Sequence, residues 1–336
     1  MQDLRNRVVV ITGASSGFGR GAALKFAQSG AHVVLAARRK RLLKDVAEEC
    51  RQVGGEALVV ETDVSSPSEV ENLAARAINE FGRIDVWVNN AGVGTVSRFE
   101  DAPLEEHEQV IRTNLLGTIY GSYVALQQFR QRGKGVLINI GSFAGKVAAP
   151  YLSSYSASKF GVRGLGMALR DELEQNGEER IHVCTVMPVS MDTPFFEHAA
   201  NHTGKLVQPI PPVYDPQSVV DVIYDLAIDP KDEVVVGPSG KFASMAERIA
   251  PRLTRKQMAK TTHRSQFTES PDAAEKSGSV FRPMRSGTDL YGGWTEKRNG
   301  GKLRKVLGVA VPIGVGAAYL LTQRALSRRA VGEHAA

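Results

Sequence analysis

Cysteine is scarce in this sequence, and no secretory leader pattern precedes Val8. The 336 residues contain only Cys50 and Cys184, which form no Cys-x-x-Cys pair. Two lone cysteines predict that no disulfide forms. Together with the missing leader pattern, they favour a reducing, cytoplasmic setting.

Charge is unevenly distributed along the chain. Residues 1–240 carry 24 Lys and Arg against 29 Asp and Glu, a net charge of −5, whereas residues 241–336 carry 18 against 7, a net charge of +11. A basic C-terminal part suggests attraction to an anionic surface such as membrane lipid or nucleic acid. This part lacks a basic motif interleaved with aromatic residues, so we predict no nucleic-acid partner.

Short apolar runs alternate with helical patterns over the first 240 residues. With 42% hydrophobic residues, the chain can bury one sizeable core and carry an appendage. Seven runs have the length and β-branched content of buried strands: 7–12, 32–37, 57–62, 84–88, 135–141, 181–186 and 233–237. This alternation predicts an α/β fold, a doubly wound parallel seven-stranded (Rossmann) sheet with a C-terminal appendage.

A glycine-rich turn follows the first predicted strand and precedes a helical pattern. Its residues are Gly13, Ser15, Ser16, Gly17, Phe18 and Gly19. The glycines allow a sharp turn and a close approach to a pyrophosphate, to which a helix N-terminus offers free N–H groups. The strand–turn–helix context therefore predicts dinucleotide binding.

The end of the second predicted strand bears on which dinucleotide fits. An acidic residue near Ala37 would hold the ribose 2′-OH of NAD, but Arg38 and Arg39 follow instead. Two guanidinium groups suit a 2′-phosphate, so NADP is favoured over NAD. The alternative is that residues 38–41 are a solvated helix start.

Tyr155 and Lys159 are one helical turn apart, and Ser142 ends the apolar run 135–141. On one helix face the Lys159 ammonium can lie beneath the phenol and favour the phenolate. An unperturbed phenol has a pKa of about 10, too high for efficient proton exchange at neutral pH. We therefore expect Lys159 to lower the pKa of Tyr155, and Ser142 to hydrogen-bond the same reacting oxygen.

Five motifs occur together in the first 240 residues. They are the turn 12–19, Asn89-Asn90-Ala91-Gly92, Asn114, Ser142 and Tyr155-x-x-x-Lys159. In this order and approximate spacing, the region from Arg7 to Gly240 resembles the short-chain dehydrogenase/reductase family. The resemblance implies an NADP(H)-dependent oxidoreductase that interconverts an alcohol and a carbonyl compound.

The resemblance also assigns roles to single residues. The implied catalytic residues are Asn114, Ser142, Tyr155 and Lys159. The implied cofactor-binding residues are Gly13, Ser15, Ser16, Gly17, Phe18, Gly19, Arg38, Arg39, Asp63, Val64, Asn90, Ala91, Gly92, Tyr155, Lys159, Pro188 and Thr193. Asn114 would hold a water linked to Lys159, or else make a structural hydrogen bond.

Two of these assignments have their own alternatives. Asp63 could equally cap a turn. Val189 follows Pro188 where relatives commonly have Gly, which puts the local backbone geometry of this loop in question.

Residues 195–213 correspond to the segment that folds over the substrate in relatives. Their apolar side chains favour an apolar, lipid-like or steroid-like carbonyl substrate: Phe195, Phe196, Val207, Ile210 and Val213. His198 and His202 are four apart, but no third ligand is evident, so we predict no metal. Relatives commonly pair through helices of this domain, which implies a homo-oligomer.

The C-terminal part is a different kind of sequence. Residues 241–301 are predicted to be a mobile linker that includes one candidate helix at 241–253. Residues 302–329 form a basic-flanked apolar segment whose centre, 306–322, has 17 uncharged residues. This length permits a membrane anchor, and Gly and Pro are tolerated there. An interfacial mode and packing on a partner subunit are the alternatives.

A second function is also compatible with the sequence. The chain could be a catalytically vestigial NADP-binding sensor or scaffold that is attached to the membrane through its tail. The presence of Ser142, Tyr155 and Lys159 argues against a loss of catalysis.

Overall fold

A seven-stranded parallel sheet forms the centre of the molecule. The computed structural model describes residues 4–268 and 270–295. The sheet order is β3-β2-β1-β4-β6-β7-β9, and a short parallel pair, β5-β8, lies outside the sheet. The strands are β1 Val8–Thr12, β2 His32–Ala37, β3 Glu56–Glu61, β4 Val86–Asn89, β5 Thr95–Val96, β6 Gly135–Ile140, β7 Ile181–Pro188, β8 Ala200–Asn201 and β9 Glu233–Val236. The predicted doubly wound α/β fold is confirmed.

Helices connect the strands and cover the sheet. They are α1 Gly17–Gln28, α2 Lys40–Gln52, α3 Pro67–Phe81, α4 Leu104–Ile111, α5 Gly117–Arg132, α6 Ser153–Gln175, α7 Phe195–His198, α8 Gln217–Ile228, α9 Pro238–Ile249 and α10 Pro251–His263. None of the helices in the described ranges is both long and apolar enough to cross a lipid bilayer.

The core consists of two apolar layers, one on each face of the sheet. Along β1, Val9 and Ile11 contribute to one layer, and Val8 and Val10 to the other. All four side chains are at most 1% exposed, because successive side chains of a strand point to opposite faces. A strand that is buried on both faces needs the continuous β-branched run seen in the sequence.

The order of the strands reverses between β1 and β4. The chain runs from β1 to β2 and β3 on one side, and from β4 to β6, β7 and β9 on the other. At such a point the loops after neighbouring strands diverge and leave a crevice at their carboxyl ends. The glycine-rich turn after β1 and the Asn90 turn after β4 border this crevice.

The helical stretch after residue 104 is not continuous. A π-helical turn at Arg112–Leu116 separates α4 from α5. Such turns are often found at functional sites, and this one carries Asn114 into the interior, where it is fully buried.

The C-terminal part begins with two helices. The candidate helix at 241–253 corresponds to α9 and the start of α10, which are separated at Pro251 because proline lacks an amide donor. Residues 270–293 contain no helix and lie against the carboxyl edge of the sheet. The candidate membrane anchor at 302–329 lies outside the described residues.

Candidate active site

One continuous cleft runs along the carboxyl edge of the sheet. It encloses about 1320 Å³ of empty space, including its open mouth. The structure brings most of the residues singled out in the sequence to its wall: Gly13, Ser15, Ser16, Gly17, Phe18, Arg38, Arg39, Asp63, Val64, Asn90, Ala91, Gly92, Ser142, Tyr155, Lys159, Pro188 and Thr193. Gly19 and Asn114 do not line the cleft; each lies behind the wall.

The glycine-rich turn is packed too tightly for side chains at two of its positions. A Cβ atom on Gly19 would lie 2.4 Å from the Gly13 carbonyl oxygen, and one on Gly13 would lie 2.9 Å from the Cα atom of Ala91. Gly13 also has a φ of +65°, which L side chains rarely adopt. The glycines thus let α1 begin directly at the floor of the cleft.

Hydrogen bonds join this turn to the turn after β4. The Thr12 hydroxyl accepts from the backbone N–H groups of Asn90 and Ala91 at 2.9 and 3.1 Å. The Asn90 side-chain amide donates to the Thr12 carbonyl oxygen at 2.8 Å. These bonds hold two neighbouring strand ends in register, which fixes the floor of the cleft.

Arg38 and Arg39 lie side by side at one end of the cleft. Burial lowers the pKa of both guanidinium groups, and the charge of Arg38 lowers that of Arg39 further. Arg39 donates to the hydroxyl groups of Ser15 and Ser16 at 3.1 and 2.6 Å. Two crowded, partly desolvated cations next to two hydroxyl groups favour an anionic ligand here.

The opposite end of the cleft contains Ser142, Tyr155 and Lys159. Ser142 follows β6, and its hydroxyl accepts from the Ala144 N–H group at 3.1 Å. The Tyr155 hydroxyl is hydrogen-bonded to Ser142. Tyr155 and Lys159 lie on α6, and the ammonium is 5.7 Å from the centre of the Tyr155 ring.

The electrostatics of this group differ from the sequence-based expectation. Burial raises the pKa of Tyr155, and the hydrogen bond to Ser142 opposes this effect only in part. Burial lowers the pKa of Lys159 to about 8. The ammonium donates to the carbonyl oxygen of Ile140 at 2.7 Å, so its hydrogen bond goes to the backbone and the pKa of Tyr155 is not lowered as expected.

Asn114 makes hydrogen bonds with both ends of its side chain. Its amide group donates to the Val93 carbonyl oxygen at 2.9 Å and to the Ser158 hydroxyl at 3.0 Å, and its oxygen accepts from the Val93 N–H group at 2.8 Å. These are the contacts of the structural alternative. The same oxygen and the Lys159 Nζ both border Gly92, at 3.4 and 3.7 Å from its Cβ position, so Asn114 and Lys159 remain neighbours.

An apolar wall adjoins Tyr155. The ring of Phe195 lies 5.1 Å from the Tyr155 ring, centre to centre. A buried cluster continues this wall: Val96, Ala149, Leu152, Ala199 and Val207. Of the residues expected to favour an apolar substrate, Phe195, Phe196 and Val207 are part of this wall.

His198 and His202 have separate partners. His198 is hydrogen-bonded to the Ser286 carbonyl oxygen at 2.9 Å, whereas His202 pairs with the buried carboxylate of Glu106 at 3.0 Å. Within residues 4–268 and 270–295, no three His, Cys, Asp or Glu side chains are arranged to hold a metal ion.

One part of the cleft wall was not identified from the sequence. We name residues 276–294 the strap. Ser279 and Pro283 of the strap line the cleft, although this stretch lies in the region predicted to be a linker. The strap acts mainly through backbone carbonyl groups, which carry no residue-specific sequence signal; only the glycines at 278, 287 and 292 hint at close backbone approach.

Comparison with known proteins gives a consistent result. The family model for short chain dehydrogenases matches residues 7–203. A curated relative, the uncharacterized oxidoreductase YxnA of Bacillus subtilis, is 35% identical over 285 residues, which cover 84% of this chain and 79% of that protein.

Two solved structures share the fold. The alcohol dehydrogenase from the archaeon Thermococcus sibiricus, complexed with 5-hydroxy-NADP, is 27% identical with a TM-score of 0.59, and the match covers 68% of this chain and 95% of that one. A short chain dehydrogenase/reductase from Burkholderia phymatum, in complex with NAD, is 24% identical with a TM-score of 0.67, over 76% of this chain and 97% of that one.

Proposed function

The chain belongs to the short-chain dehydrogenase family, and on that premise we propose that it is an NADP(H)-dependent oxidoreductase that interconverts an alcohol and a carbonyl compound. The observation that carries the proposal is the shared cleft. Ser142, Tyr155 and Lys159 stand at one end of it, and the glycine-rich turn and the arginine pair stand at the other.

The residues of the cleft fit a nicotinamide dinucleotide. The glycine-rich turn leaves room for a pyrophosphate at the start of α1, where a side chain on Gly19 would clash with the backbone. Arg38, Arg39 and Ser15 would hold a 2′-phosphate, and Asp63 and Val64 would lie beside the adenine. Thr193 and Lys159 would hold the nicotinamide carboxamide and its ribose.

The proton chemistry belongs to Tyr155. A bound nicotinamide cofactor supplies or accepts the hydride. In the reductive direction the Tyr155 hydroxyl donates its proton to the carbonyl oxygen of the substrate. Ser142 orients the same oxygen through its hydroxyl, and the Lys159 ammonium stabilises the phenolate that remains.

The preference for NADP is supported by the charges at the end of β2. A 2′-phosphate would neutralise two partly buried cations, of which Arg38 lowers the pKa of Arg39. NAD lacks this phosphate and would leave Arg38 and Arg39 without an anionic group of the cofactor to pair with. The chain also places both arginines where a carboxylate would otherwise hold the 2′-OH of NAD.

A substrate screen tests the proposal. NADPH and NADH oxidation are followed at 340 nm with the full chain and a panel of aldehydes and ketones, from small polar compounds to lipid-like and steroid-like ones. We expect turnover with NADPH, highest for apolar carbonyl compounds because the wall at Phe195 is apolar. Cofactor binding without turnover of any compound in either direction would instead favour the vestigial sensor or scaffold.

We also propose that the chain forms a homo-oligomer through α5 and α6. Tyr123 on α5 and Phe160 and Met167 on α6 are large apolar residues that are 61%, 42% and 44% exposed. Burying them against a second copy would remove this area from water. Size-exclusion chromatography with light scattering should give a multiple of the 36.3 kDa chain mass, and Met167→Glu should lower it.

Attachment to an anionic membrane surface is a further part of the proposal. Helices α9 and α10 expose four large apolar side chains, Phe242, Met245, Ile249 and Leu253. Phe242, Met245 and Ile249 are three to four residues apart on α9 and form one stripe, and Leu253 is exposed on α10. Exposed cations accompany it: Lys241, Arg248, Arg252, Arg255, Lys256 and Lys260. An apolar stripe flanked by basic residues is typical of helices that lie on anionic lipid.

Vesicle flotation tests this attachment. The full chain should float with phosphatidylcholine–phosphatidylglycerol vesicles, and Ile249→Ser with Phe242→Ser should reduce the floated fraction severalfold. A protein that stays in the soluble fraction with these vesicles at low salt would refute the attachment.

A further inference from the structure

The strap crosses the cleft from the substrate side to the nicotinamide side. At its start, Lys276 pairs with Asn201 of β8 in an antiparallel bridge. It then passes over Arg38 and Arg39 and over the start of α1. It ends at the loop after β7, where the N–H group of Trp294 donates to the Asp192 carboxylate at 2.8 Å.

The strap contacts the two arginines through its backbone. Arg38 donates to the carbonyl oxygens of Ser279 at 2.6 Å and Phe281 at 3.0 Å. Arg39 donates to those of Met284 and Ser286 at 3.3 and 3.2 Å. These carbonyl groups fix the direction of both guanidinium groups, which would otherwise be two long side chains with many rotamers.

The strap also contacts the start of α1. The carbonyl oxygen of Asp289 accepts from the Gly17 N–H group at 2.9 Å, and the Asp289 carboxylate pairs with Arg20 at 2.5 Å. The segment is therefore tied to both places where phosphate groups of a dinucleotide are expected.

Close packing holds the strap at both ends. Gly278 has a φ of +53°, and a Cβ atom there would lie 2.2 Å from the carbonyl oxygen of His198. At the other end, Trp294 is 7% exposed, and its indole N–H group donates to the Thr193 carbonyl oxygen at 2.9 Å. Val280 between them is fully buried and packs in one cluster with Val93 and Ala200.

We propose that the strap is the outer wall of the cofactor site: it orients Arg38 and Arg39 and closes over the bound dinucleotide, so that it determines how tightly NADPH is held and how slowly it leaves. This inference rests on the proposed function, because it takes the cleft to be a dinucleotide site. The ligand is the same dinucleotide as in the proposed function, and the strap adds residues to its binding site.

The shape of the cleft indicates that the strap forms a wall of the cofactor site and does not block the site. Beneath the strap the cleft is continuous from Arg38 and Asp63 to Tyr155, and Ser279 and Pro283 face it from above. The strap does not fill this space, and it takes the Gly17 N–H group only through the single carbonyl oxygen of Asp289. Because the strap ends next to Thr193 at the nicotinamide loop, it spans the length of the ligand and must open for exchange.

Two variants loosen the strap at residues outside the cleft lining. Gly278→Ala introduces the clash with His198, and Trp294→Ala removes the buried anchor. The matched control is Gly177→Ala, at a φ of +68° with no atom within 4 Å of its Cβ position, which introduces similar backbone strain elsewhere. Binding of NADPH is measured from its fluorescence, and its release by stopped-flow displacement.

We expect both strap variants to raise the Kd for NADPH about tenfold, chiefly through faster release, and the control to change it less than about twofold. Tighter binding in the strap variants would show that the strap competes with the cofactor, and unchanged binding would show that it only supports the fold. Either result overturns the inference.

Limited proteolysis of the unaltered protein gives an independent test. Arg285 is exposed on the strap, and trypsin cleavage after it should become at least about threefold slower with saturating NADPH, because closing protects exposed segments. Cleavage that is accelerated or unchanged by NADPH would contradict the proposal that the strap closes over the bound cofactor. Failure of wild type to bind either NADPH or NADH would refute the proposed function itself, whereas binding with no effect of the strap variants would refute this inference alone.

Discussion

The two ends of the cleft are built in different ways. At the catalytic end, Ser142 follows β6 and Tyr155 and Lys159 lie on α6, within 18 residues of one another, and they act through side chains. At the adenosine end, Arg38 and Arg39 are held by backbone carbonyl groups from a segment about 240 residues later in the chain.

This difference assigns proton transfer to one end of the cleft and cofactor binding to the other. A proton donor must be placed by rigid secondary structure, since small displacements of a reacting group are costly. A cofactor must enter and leave, so one side of its site is made of an irregular segment that can open without disturbing the sheet. The catalytic end should therefore control turnover, and the adenosine end should control cofactor affinity and selectivity.

The largest effect should follow from removing the ammonium at the catalytic end. Lys159→Met should lower kcat about a thousandfold, because the phenolate left on Tyr155 loses its stabilising charge. Steady-state assays with the best substrate of the screen measure this, with the exposed Lys44→Met as control. A kcat within threefold of wild type would contradict the claim that the catalytic end controls turnover.

The same substitution tests the electrostatic cost of the catalytic end. Burial lowers the pKa of Lys159 to about 8 from 10.5, so the unfolded chain binds an extra proton between these values. The free energy of unfolding of wild type should rise relative to Lys159→Met as pH increases from 8 to 10.5, by about 3 kcal/mol at most. Urea unfolding of both proteins at pH 7.5 and pH 10 checks the sign; a difference that stays constant or falls would refute it.

A smaller effect should appear at the adenosine end. The double variant Arg38→Ser with Arg39→Ser should lower the ratio of kcat/KM for NADPH over NADH about thirtyfold, through loss of charge-assisted hydrogen bonds to the 2′-phosphate. Turnover with saturating cofactor should change little. Arg41→Ser, at an exposed position of α2, is the control. A fall in kcat of similar size to that of Lys159→Met would contradict the division of roles.

The sequence predicted the fold and most of the cleft lining because both depend on local patterns. The buried run at 8–12 and the glycine-rich turn define β1 and the start of α1, and the four-residue spacing of Tyr155 and Lys159 places both on one helix face. Spacing along a helix does not fix electrostatics, however. The Lys159 ammonium lies under the Tyr155 ring and bonds to the carbonyl oxygen of Ile140, so burial raises the pKa of Tyr155 where a lowered value was expected.

Other features had no sequence signal that pattern reasoning could use. The π turn that buries Asn114 interrupts a helical period that continues on both sides of it. The strands β5 and β8 have two residues each, too few for a periodic pattern. The strap was assigned to a linker because it is polar and rich in glycine, yet its contacts come from backbone carbonyl groups and from single anchors such as Trp294.

The most direct test of the account compares binding with turnover in Tyr155→Phe. We predict that this variant binds NADPH with a Kd within about twofold of wild type while its kcat falls about a thousandfold, since only the proton donor is lost. Near-normal turnover in the variant, or absence of NADPH binding by wild type, would contradict the account.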